Sequence, residues 1–317
     1  MHQFSIITPT FNRAKYLTRI YDCLCRQDDI DLEWIIIDDG STDNTREIVL
    51  GFEKTFEIKY MYQENAGKPS AMNAGMQIAN SYIMMSLDSE DIIYPNVLKT
   101  VWNYFDAKTG KFENDCACLS GLCQYENGVI LGKKFPNDYF VSDYIRYVKN
   151  KKISGDKSEF YVTEIFRMFP FPIFENEKNI RPSVVITRIA LTHKTLYVNI
   201  VFQEKQFLQG GLSSQNYLLM YPLGAELFYN ERSIPPHSFK LQVIHSGKYI
   251  LFAKINRKKN IYGDAKNKLI FPLGKIYYFI LCIKTSLKKI KIIQNANNKL
   301  KEAMNKNKRN QKIIKSG

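Results

Sequence analysis

The chain has 317 residues, of which 45% are hydrophobic and 13% aromatic, and this composition excludes an intrinsically disordered protein. Its 45 Lys and Arg against 31 Asp and Glu give a net charge of +14. Most of this excess lies at one end, because residues 248–317 hold 19 basic and 2 acidic side chains, which leaves 26 and 29 for residues 1–247. The near-neutral body argues against a protein that binds nucleic acid in a basic groove.

The start of the chain, its cysteines and its hydropathy predict the type of compartment in which the protein is found. The first residues lead directly into an alternating apolar run, which predicts a protein that is not secreted. Six irregularly spaced cysteines in a chain of this size are expected to be reduced thiols, and a zinc site at Cys116, Cys118 and Cys123 is the alternative. The most apolar segment, the 15 residues 269–283, is too short to span a membrane.

Apolar runs alternate with helix-length segments over the first ninety or so residues, and turn or cap residues mark each change. Strands are predicted at residues 4–8, 34–37, 58–62 and 82–87, and helices at residues 13–27, 41–54 and 67–80. This order predicts an α/β fold with a mostly parallel central sheet, in which ligands bind at the carboxyl ends of the strands.

Polar side chains follow three of the four predicted strands. They are Thr8 and Thr10 after the first strand, Asp38 and Asp39 after the second, and Asp88, Glu90 and Asp91 after the fourth. Helix capping would account for one such carboxylate per helix, but it does not explain carboxylates that come in pairs.

The acidic residues suggest a site for a metal and phosphates. Asp88, Glu90 and Asp91 form an oxygen-rich set suited to Mg²⁺ or Mn²⁺, which would neutralise a diphosphate leaving group. Asp39 is expected to accept hydrogen bonds from a base or ribose, and Lys68, at a helix start, is expected to reach a phosphate. Neither a Walker loop nor a dinucleotide-binding glycine pattern occurs, which disfavours kinase and dehydrogenase chemistry.

Four segments resemble, in order and spacing, the sequence blocks of bacterial family 2 glycosyltransferases: SIITPTFNRAKYL, WIIIDDGSTDNT, ENAGKPSAMNAGMQIA and IMMSLDSEDIIYPNVL. The resemblance implies a GT-A fold, a nucleotide-diphosphate sugar donor with UDP as the expected nucleotide, a divalent metal, and inversion at the anomeric carbon. It also implies site roles: nucleotide contacts for Thr8, Thr10 and Asp39, a position beside the nucleotide for Lys68, ribose and diphosphate for Asp88, and metal for Glu90. The family usually has Asp at the position of Glu90, and Asp91 could compensate for this difference.

The general base that the resemblance implies is absent from its expected position or displaced. Inversion by direct displacement needs a base within hydrogen-bond reach of the acceptor hydroxyl. In residues 155–190, which resemble the block that supplies it, Asn176 replaces a glycine, and Arg181-Pro182-Ser183 replaces the family's Pro-Glu pair. Glu177 is the predicted base and Glu175 the second choice. The competing interpretation is that both are exposed loop carboxylates.

By composition and motif position, residues 1–240 are expected to form the GT-A domain, with halves at 1–110 and 111–240, and residues 241–317 a basic, mainly helical extension. The last dozen residues are expected to be disordered. Apolar residues interleaved with lysines suit a helix that lies on an anionic membrane, and a helical hairpin packed on the domain is the alternative.

Together these features predict a cytoplasmic glycosyltransferase, peripheral on the inner face of the cell membrane, that transfers a sugar to a glycan or lipid-linked glycan acceptor. No specific nucleic acid partner is expected. Two other functions stay open: a donor-binding but catalytically weak partner subunit, because the expected base is missing, and a polyanion-binding protein, because of the basic tail.

Overall fold

The computed structural model describes residues 1–105, 112, 115–145, 154–206 and 217–284. The chain divides into two compact units, residues 1–211 and 212–317. The domain limits expected at residues 110 and 240 stay predictions, and the last dozen residues lie outside the described part.

Strands and helices alternate strictly at the start of the first unit. They are β1 (His2–Thr10), α1 (Ala14–Leu24), β2 (Leu32–Asp38), α2 (Thr45–Leu50), β3 (Glu57–Tyr62), α3 (Lys68–Ile78) and β4 (Ser81–Ser86). The predicted order of elements is confirmed, and their limits differ from the expected ones by at most four residues.

The first unit continues with shorter helices and more strands. They are β5 (Ile92–Ile93), α4 (Val97–Phe105), β6 (Cys116–Gln124), β7 (Tyr139–Ser142), β8 (Lys157–Val162), α5 (Thr163–Arg167), α6 (Ser183–Ile189) and β9 (Lys194–Glu204). The described strands form one sheet in the order β3-β2-β1-β4-β8-β6-β9-β5, with β7 on β9. The leading strands β3, β2, β1 and β4 are parallel, whereas β8 runs antiparallel to both β4 and β6.

The inner parallel strands β1, β2 and β4 are largely buried, as expected where helices pack on a parallel sheet. All seven residues of β2 are buried. On α1 the buried positions Leu17, Ile20 and Leu24 recur at helical spacing and join the core cluster. On α3, a side chain at Gly75 would bring its Cβ within 2.5 Å of Cγ2 of Ile7, so this helix packs close to the sheet.

The second unit is helical over its described residues, which confirms the expected helical C-terminal region. Its helices are α7 (Tyr217–Met220), α8 (Pro222–Glu231), α9 (Phe239–Ile255) and α10 (Phe271–Lys284). Helices α9 and α10 approach closely at two glycines, since a Cβ at Gly274 would lie 2.7 Å from Cβ of Ser246 and one at Gly247 would lie 2.9 Å from the carbonyl oxygen of Gly274. Among the described helices, none has the length and hydropathy to cross a membrane.

Candidate active site

The carboxyl ends of the parallel strands meet at one edge of the sheet. The β1–β2 register sets Thr10 opposite Asp38, and the amide of Asp39 donates to the carbonyl oxygen of Thr10 at 2.8 Å. On the other side of β1, the register sets Ile7 opposite Ser86 at the end of β4. Asp88 follows two residues later, so the predicted nucleotide and phosphate residues belong to the same edge.

Asp39 clamps the loop that leads into α3. Its Oδ1 accepts hydrogen bonds from Gln63 Nε2 at 2.6 Å and from the Ala66 amide at 2.8 Å, and its Oδ2 accepts one from the Gly67 amide at 2.8 Å. The loop continues directly into Lys68, the first residue of α3. The carboxylate predicted to contact the nucleotide therefore also sets the start of the helix that carries Lys68.

The two threonines of β1 differ in what their hydroxyls do. Thr8 is fully buried, and its Oγ1 accepts a hydrogen bond from Trp34 Nε1 at 2.9 Å. The Oγ1 of Thr10 is buried without a partner among the described residues. Of the two predicted nucleotide contacts, Thr10 thus has unused hydrogen-bonding capacity, whereas Thr8 supports the sheet.

Asp88 lies between two lysines. The ammonium group of Lys68 bonds to Oδ1 of Asp88, and that of Lys205, directly after β9, lies 3.9 Å from Oδ2. Burial by itself would raise the pKa of Asp88, but the two lysines lower it to about 2. The sequence predicted Lys68 and Asp88 as neighbours of the donor but did not predict Lys205.

The other two predicted metal ligands occupy different surroundings. Asp91 is buried, and its oxygens accept hydrogen bonds from Lys205 Nζ at 2.7 Å, Gln203 Nε2 at 2.9 Å and the Gln206 amide at 3.2 Å. Burial raises the pKa of Asp91 to about 6, and Lys205 opposes part of this shift. Glu90 is half-buried and accepts one hydrogen bond, from the hydroxyl of Ser89 at 2.9 Å.

The chemistry of these side chains suits a hard divalent cation, but among the described residues Asp88, Glu90 and Asp91 do not form a group of three whose ligand atoms all lie within 4.8 Å of one another. Asp88 and Glu90 supply carboxylate oxygens of the type that Mg²⁺ and Mn²⁺ prefer. Asp91 would have to release Lys205 or Gln206 before it could bind a metal ion.

A second group of potential ligands lies at the opposite edge of the sheet. His2, Glu33 and Glu57, near the amino ends of β1, β2 and β3, are the described residues close enough together to share an ion. The ammonium group of Lys59 already bonds to Glu33 and lies 3.6 Å from Glu57, so this group is an ion-pair cluster. No cluster of this kind in the described residues includes Cys116, Cys118 or Cys123, which are buried free thiols, and this gives no support to the zinc alternative.

A cavity of about 170 Å³ opens beside Asp88. Lys68 and Asp88 lie on one side, and Asn179 and Pro182, just before α6, lie on another. Strand β8 contributes Lys157, Glu159 and Tyr161, and further polar lining comes from Ser86, Gln203 and Lys205.

Glu159 is the carboxylate that the sequence interpretation missed. It is half-buried, and the hydroxyl of Tyr161 donates to its Oε2 at 2.8 Å. Burial raises its pKa to about 7, although Tyr161, Lys205 and Lys157 each lower it. The signal in the sequence was an acid inside an otherwise strand-like segment, KSEFYV.

The predicted base, Glu177, lies in a tight turn. Its amide donates to the carbonyl oxygen of Phe174 at 3.1 Å, and the residue is 8% exposed, whereas Glu175 is exposed. The cavity wall includes Asn179 and Ile180 from this segment but not Glu177. Its role as a base stays a prediction.

The chain is similar to known proteins in sequence and in fold. Residues 5–176 match the family model described as glycosyl transferase family 2. A validoxylamine A glucosyltransferase of Streptomyces hygroscopicus subsp. jinggangensis is 38% identical over 101 residues, which cover 31% of this chain and 24% of the relative. A chondroitin synthase of Pasteurella multocida is 36% identical over 96 residues, which cover 30% of this chain and 10% of the relative. The chain thus matches a third or less of the length of these curated relatives.

A solved structure with a similar fold is that of S. aureus TarS residues 1–349 in complex with UDP-GlcNAc. It superposes with a TM-score of 0.60 at 18% sequence identity and covers 83% of this chain and 76% of that one. At this identity the likeness concerns the fold alone, and it confirms the fold class expected from the sequence blocks.

Proposed function

The chain belongs to glycosyl transferase family 2, and from this premise we propose that it is an inverting hexosyltransferase that uses a UDP-sugar donor and a glycan acceptor. The observation that carries the proposal is Asp88 between Lys68 and Lys205, at the carboxyl edge of the parallel strands and beside a cavity. Two cations and a carboxylate in this place suit the diphosphate of a nucleotide sugar.

The nucleotide end of the donor is assigned to the β1, β2 and α3 edge. The unpaired hydroxyl of Thr10 and the loop fixed by Asp39 support a nucleoside site there, with Thr8 beneath it in the sheet. Lys68 lies in the first turn of α3, an 11-residue helix whose positive end favours phosphate.

Asp88 and Glu90 would hold Mn²⁺ or Mg²⁺, and Asp91 could join them only after giving up a present partner. A bound divalent cation would supply charge neutralisation for the departing diphosphate. The chain's own contribution is the pair of ammonium groups of Lys68 and Lys205, which stabilise the negative charge that develops on that group.

The acceptor is proposed to be lipid-linked and to reach the enzyme at the inner face of the cell membrane. The support comes from the second unit, where α10 exposes Leu273, Ile276 and Phe279. Residues 248–317 add 19 basic against 2 acidic side chains. Exposed apolar residues combined with basic charge favour the surface of an anionic bilayer.

A nucleotide screen tests the donor assignment. The thermal midpoint of the full chain is measured with UDP, GDP, dTDP and CMP, each with and without Mn²⁺. UDP with Mn²⁺ is expected to raise the midpoint most, because a ligand bound only by the folded state stabilises it. An unchanged midpoint with all four nucleotides would contradict the proposal.

Vesicle sedimentation tests the membrane assignment separately. The chain is expected to sediment with vesicles that contain anionic lipid and not with neutral vesicles, and added salt should weaken the association. Binding to duplex DNA of equal strength, with no preference for vesicles, would favour the polyanion-binding alternative.

A further inference from the structure

Direct displacement at an anomeric carbon requires a general base, most often a carboxylate or an imidazole, that removes the proton of the acceptor hydroxyl. That group must face the cavity beside Asp88, where the diphosphate of the donor is proposed to bind. It must also be free of a tight ion pair, because a paired carboxylate is a weak base. Among the described residues, two carboxylates line the cavity beside Lys68: Asp88 and Glu159.

Asp88 does not meet the second requirement, because Lys68 and Lys205 both pair with it. Glu159 does meet it. We infer that Glu159 is the general base of the transfer reaction and contacts the acceptor hydroxyl directly. The inference rests on the proposed function and assigns the acceptor side of that same site.

The strand register places Glu159 near Asp88, at the proposed donor site. Strand β8 runs antiparallel to β4, with Met85 opposite Phe160, so Glu159 lies toward the carboxyl end of β4, where Asp88 follows. Ser86, at that end of β4, lines the same cavity. Side chains alternate along a strand, and therefore Glu159 and Tyr161 share the face that the cavity opens onto.

Tyr161 holds Glu159 in one orientation. Its hydroxyl donates to Oε2 at 2.8 Å, while Oε1 of Glu159 accepts no hydrogen bond from the described residues. One oxygen is thereby fixed and the other is left for the acceptor. The role assigned to Tyr161 is positioning.

The proposed step balances without a further reactant. The acceptor O–H bond breaks, its proton passes to a carboxylate oxygen of Glu159, and the acceptor oxygen forms a bond to the anomeric carbon. The bond between that carbon and the diphosphate oxygen breaks at the same time, and the nucleoside diphosphate leaves with the electron pair. Lys68 and Lys205 face its charge.

The charges around Glu159 are compatible with this role. Burial raises its pKa to about 7, near the value at which a general base is most effective at neutral pH. The titratable groups that influence the pKa of Glu159, or whose pKa Glu159 influences, lie on β8 and on the strands packed beside it. Lys157 and Tyr161 belong to β8, and Asp156 directly precedes that strand. Cys118 belongs to β6, Tyr197 to β9, and Lys205 directly follows β9.

The test compares Glu159→Gln with Glu177→Gln in the full chain. Release of UDP from UDP-GlcNAc and from UDP-glucose, with water as the acceptor, gives the rate, and titration with UDP gives the affinity. We expect Glu159→Gln to slow release at least about 100-fold, the usual contribution of a general base, with UDP affinity within about threefold of wild type. Glu177→Gln is expected to keep the wild-type rate within about threefold.

Two further variants separate chemistry from folding. Glu159→Asp keeps a carboxylate but sets it one methylene further from the acceptor hydroxyl. Its rate of UDP release should exceed that of Glu159→Gln. Tyr161→Phe should lower the rate and shift the pH at which the rate is half-maximal, because Glu159 loses its hydrogen-bond donor.

The contrary results are distinct. A wild-type rate in Glu159→Gln, a large loss in Glu177→Gln alone, or UDP binding by wild type without release from either donor would overturn the inference. A wild-type chain that does not bind UDP at all would overturn the proposed function, and the inference would fail with it.

Discussion

The ammonium group of Lys205 lies 2.7 Å from Oδ2 of Asp91, and this ion pair joins the end of β9 to the loop after β4. The side chains are 17% and 2% exposed. The residues are 114 positions apart in the chain. The pair thus fixes the loop that carries Asp88 against the far half of the sheet.

Replacing Lys205 with Met is expected to destabilise the fold by about 3 kcal/mol at pH 8, because it leaves the buried carboxylate of Asp91 without its cation. The double variant Lys205→Met/Asp91→Asn should lose less stability than the two single variants added together. Urea unfolding of all three variants gives the coupling energy.

An exposed ion pair provides the control for this cycle. Lys99 and Asp29 pair at 2.9 Å, with side chains 51% and 80% exposed. Their coupling energy is expected to be below about 0.5 kcal/mol. Equal coupling energies for the two pairs would show that Lys205 is not a structural anchor of the Asp91 loop.

Gly67 and Gly128 form a second matched comparison. Both have positive φ, +94° and +79°, but a Cβ at Gly67 would lie 2.0 Å from the carbonyl oxygen of Lys178, whereas nothing lies within 4 Å of one at Gly128. Gly67→Ala should cost more than about 3 kcal/mol in the free energy of unfolding and Gly128→Ala about 1 kcal/mol. Equal losses would mean that the loop before α3 does not approach the Lys178 segment this closely.

Stability should depend on pH through Glu159. Its pKa is raised from 4.5 to about 7 in the folded chain, so the folded state holds the proton more tightly than the unfolded state. The stability from this carboxyl is fully present below about pH 4.5 and is lost as the pH rises to about 7.

Glu159→Gln cannot titrate, and it should therefore gain about 2 to 3 kcal/mol relative to wild type between pH 5 and pH 8. Denaturant midpoints of both proteins across this range measure the gain. A difference between them that is constant with pH would contradict the raised pKa.

Lys68 should contribute to donor affinity through charge. Lys68→Met is expected to weaken UDP binding about tenfold, because the diphosphate loses an ammonium group at the start of α3. Lys68→Arg should retain more of the affinity. Lys99→Met, which removes a surface lysine from its pair with Asp29, is the control and should bind UDP as wild type does. Isothermal titration would report no difference between the two methionine variants if Lys68 did not face the donor.

The parallel half of the site could be predicted because its signals are local. Clustered apolar residues mark each strand from β1 to β4, and the polar residues that follow lie at one edge once the strands are parallel. Asp39, Lys68 and Asp88 were placed in this way. The hydrogen bond from Trp34 to Thr8 could not be foreseen, since it depends on how a large side chain of the neighbouring strand β2 packs against β1.

The other half of the site depends on long-range pairing. Strand β8 joins β4 in antiparallel orientation across more than seventy residues, and Lys205 reaches Asp91 from the end of β9. No short-range pattern specifies these partners. Glu159 was therefore not among the predicted site residues, whereas Glu177, chosen for its place within residues 155–190, lies in a turn outside the cavity wall.

Asp88 and its two lysines form the proposed donor site of this glycosyltransferase. The most direct test is the rate of UDP release from UDP-GlcNAc and UDP-glucose with Mn²⁺, compared among wild type, Asp88→Asn and the surface control Asp29→Asn. We expect release by wild type and by Asp29→Asn, and a rate at least about 100-fold lower for Asp88→Asn. Equal rates for all three proteins would contradict this assignment.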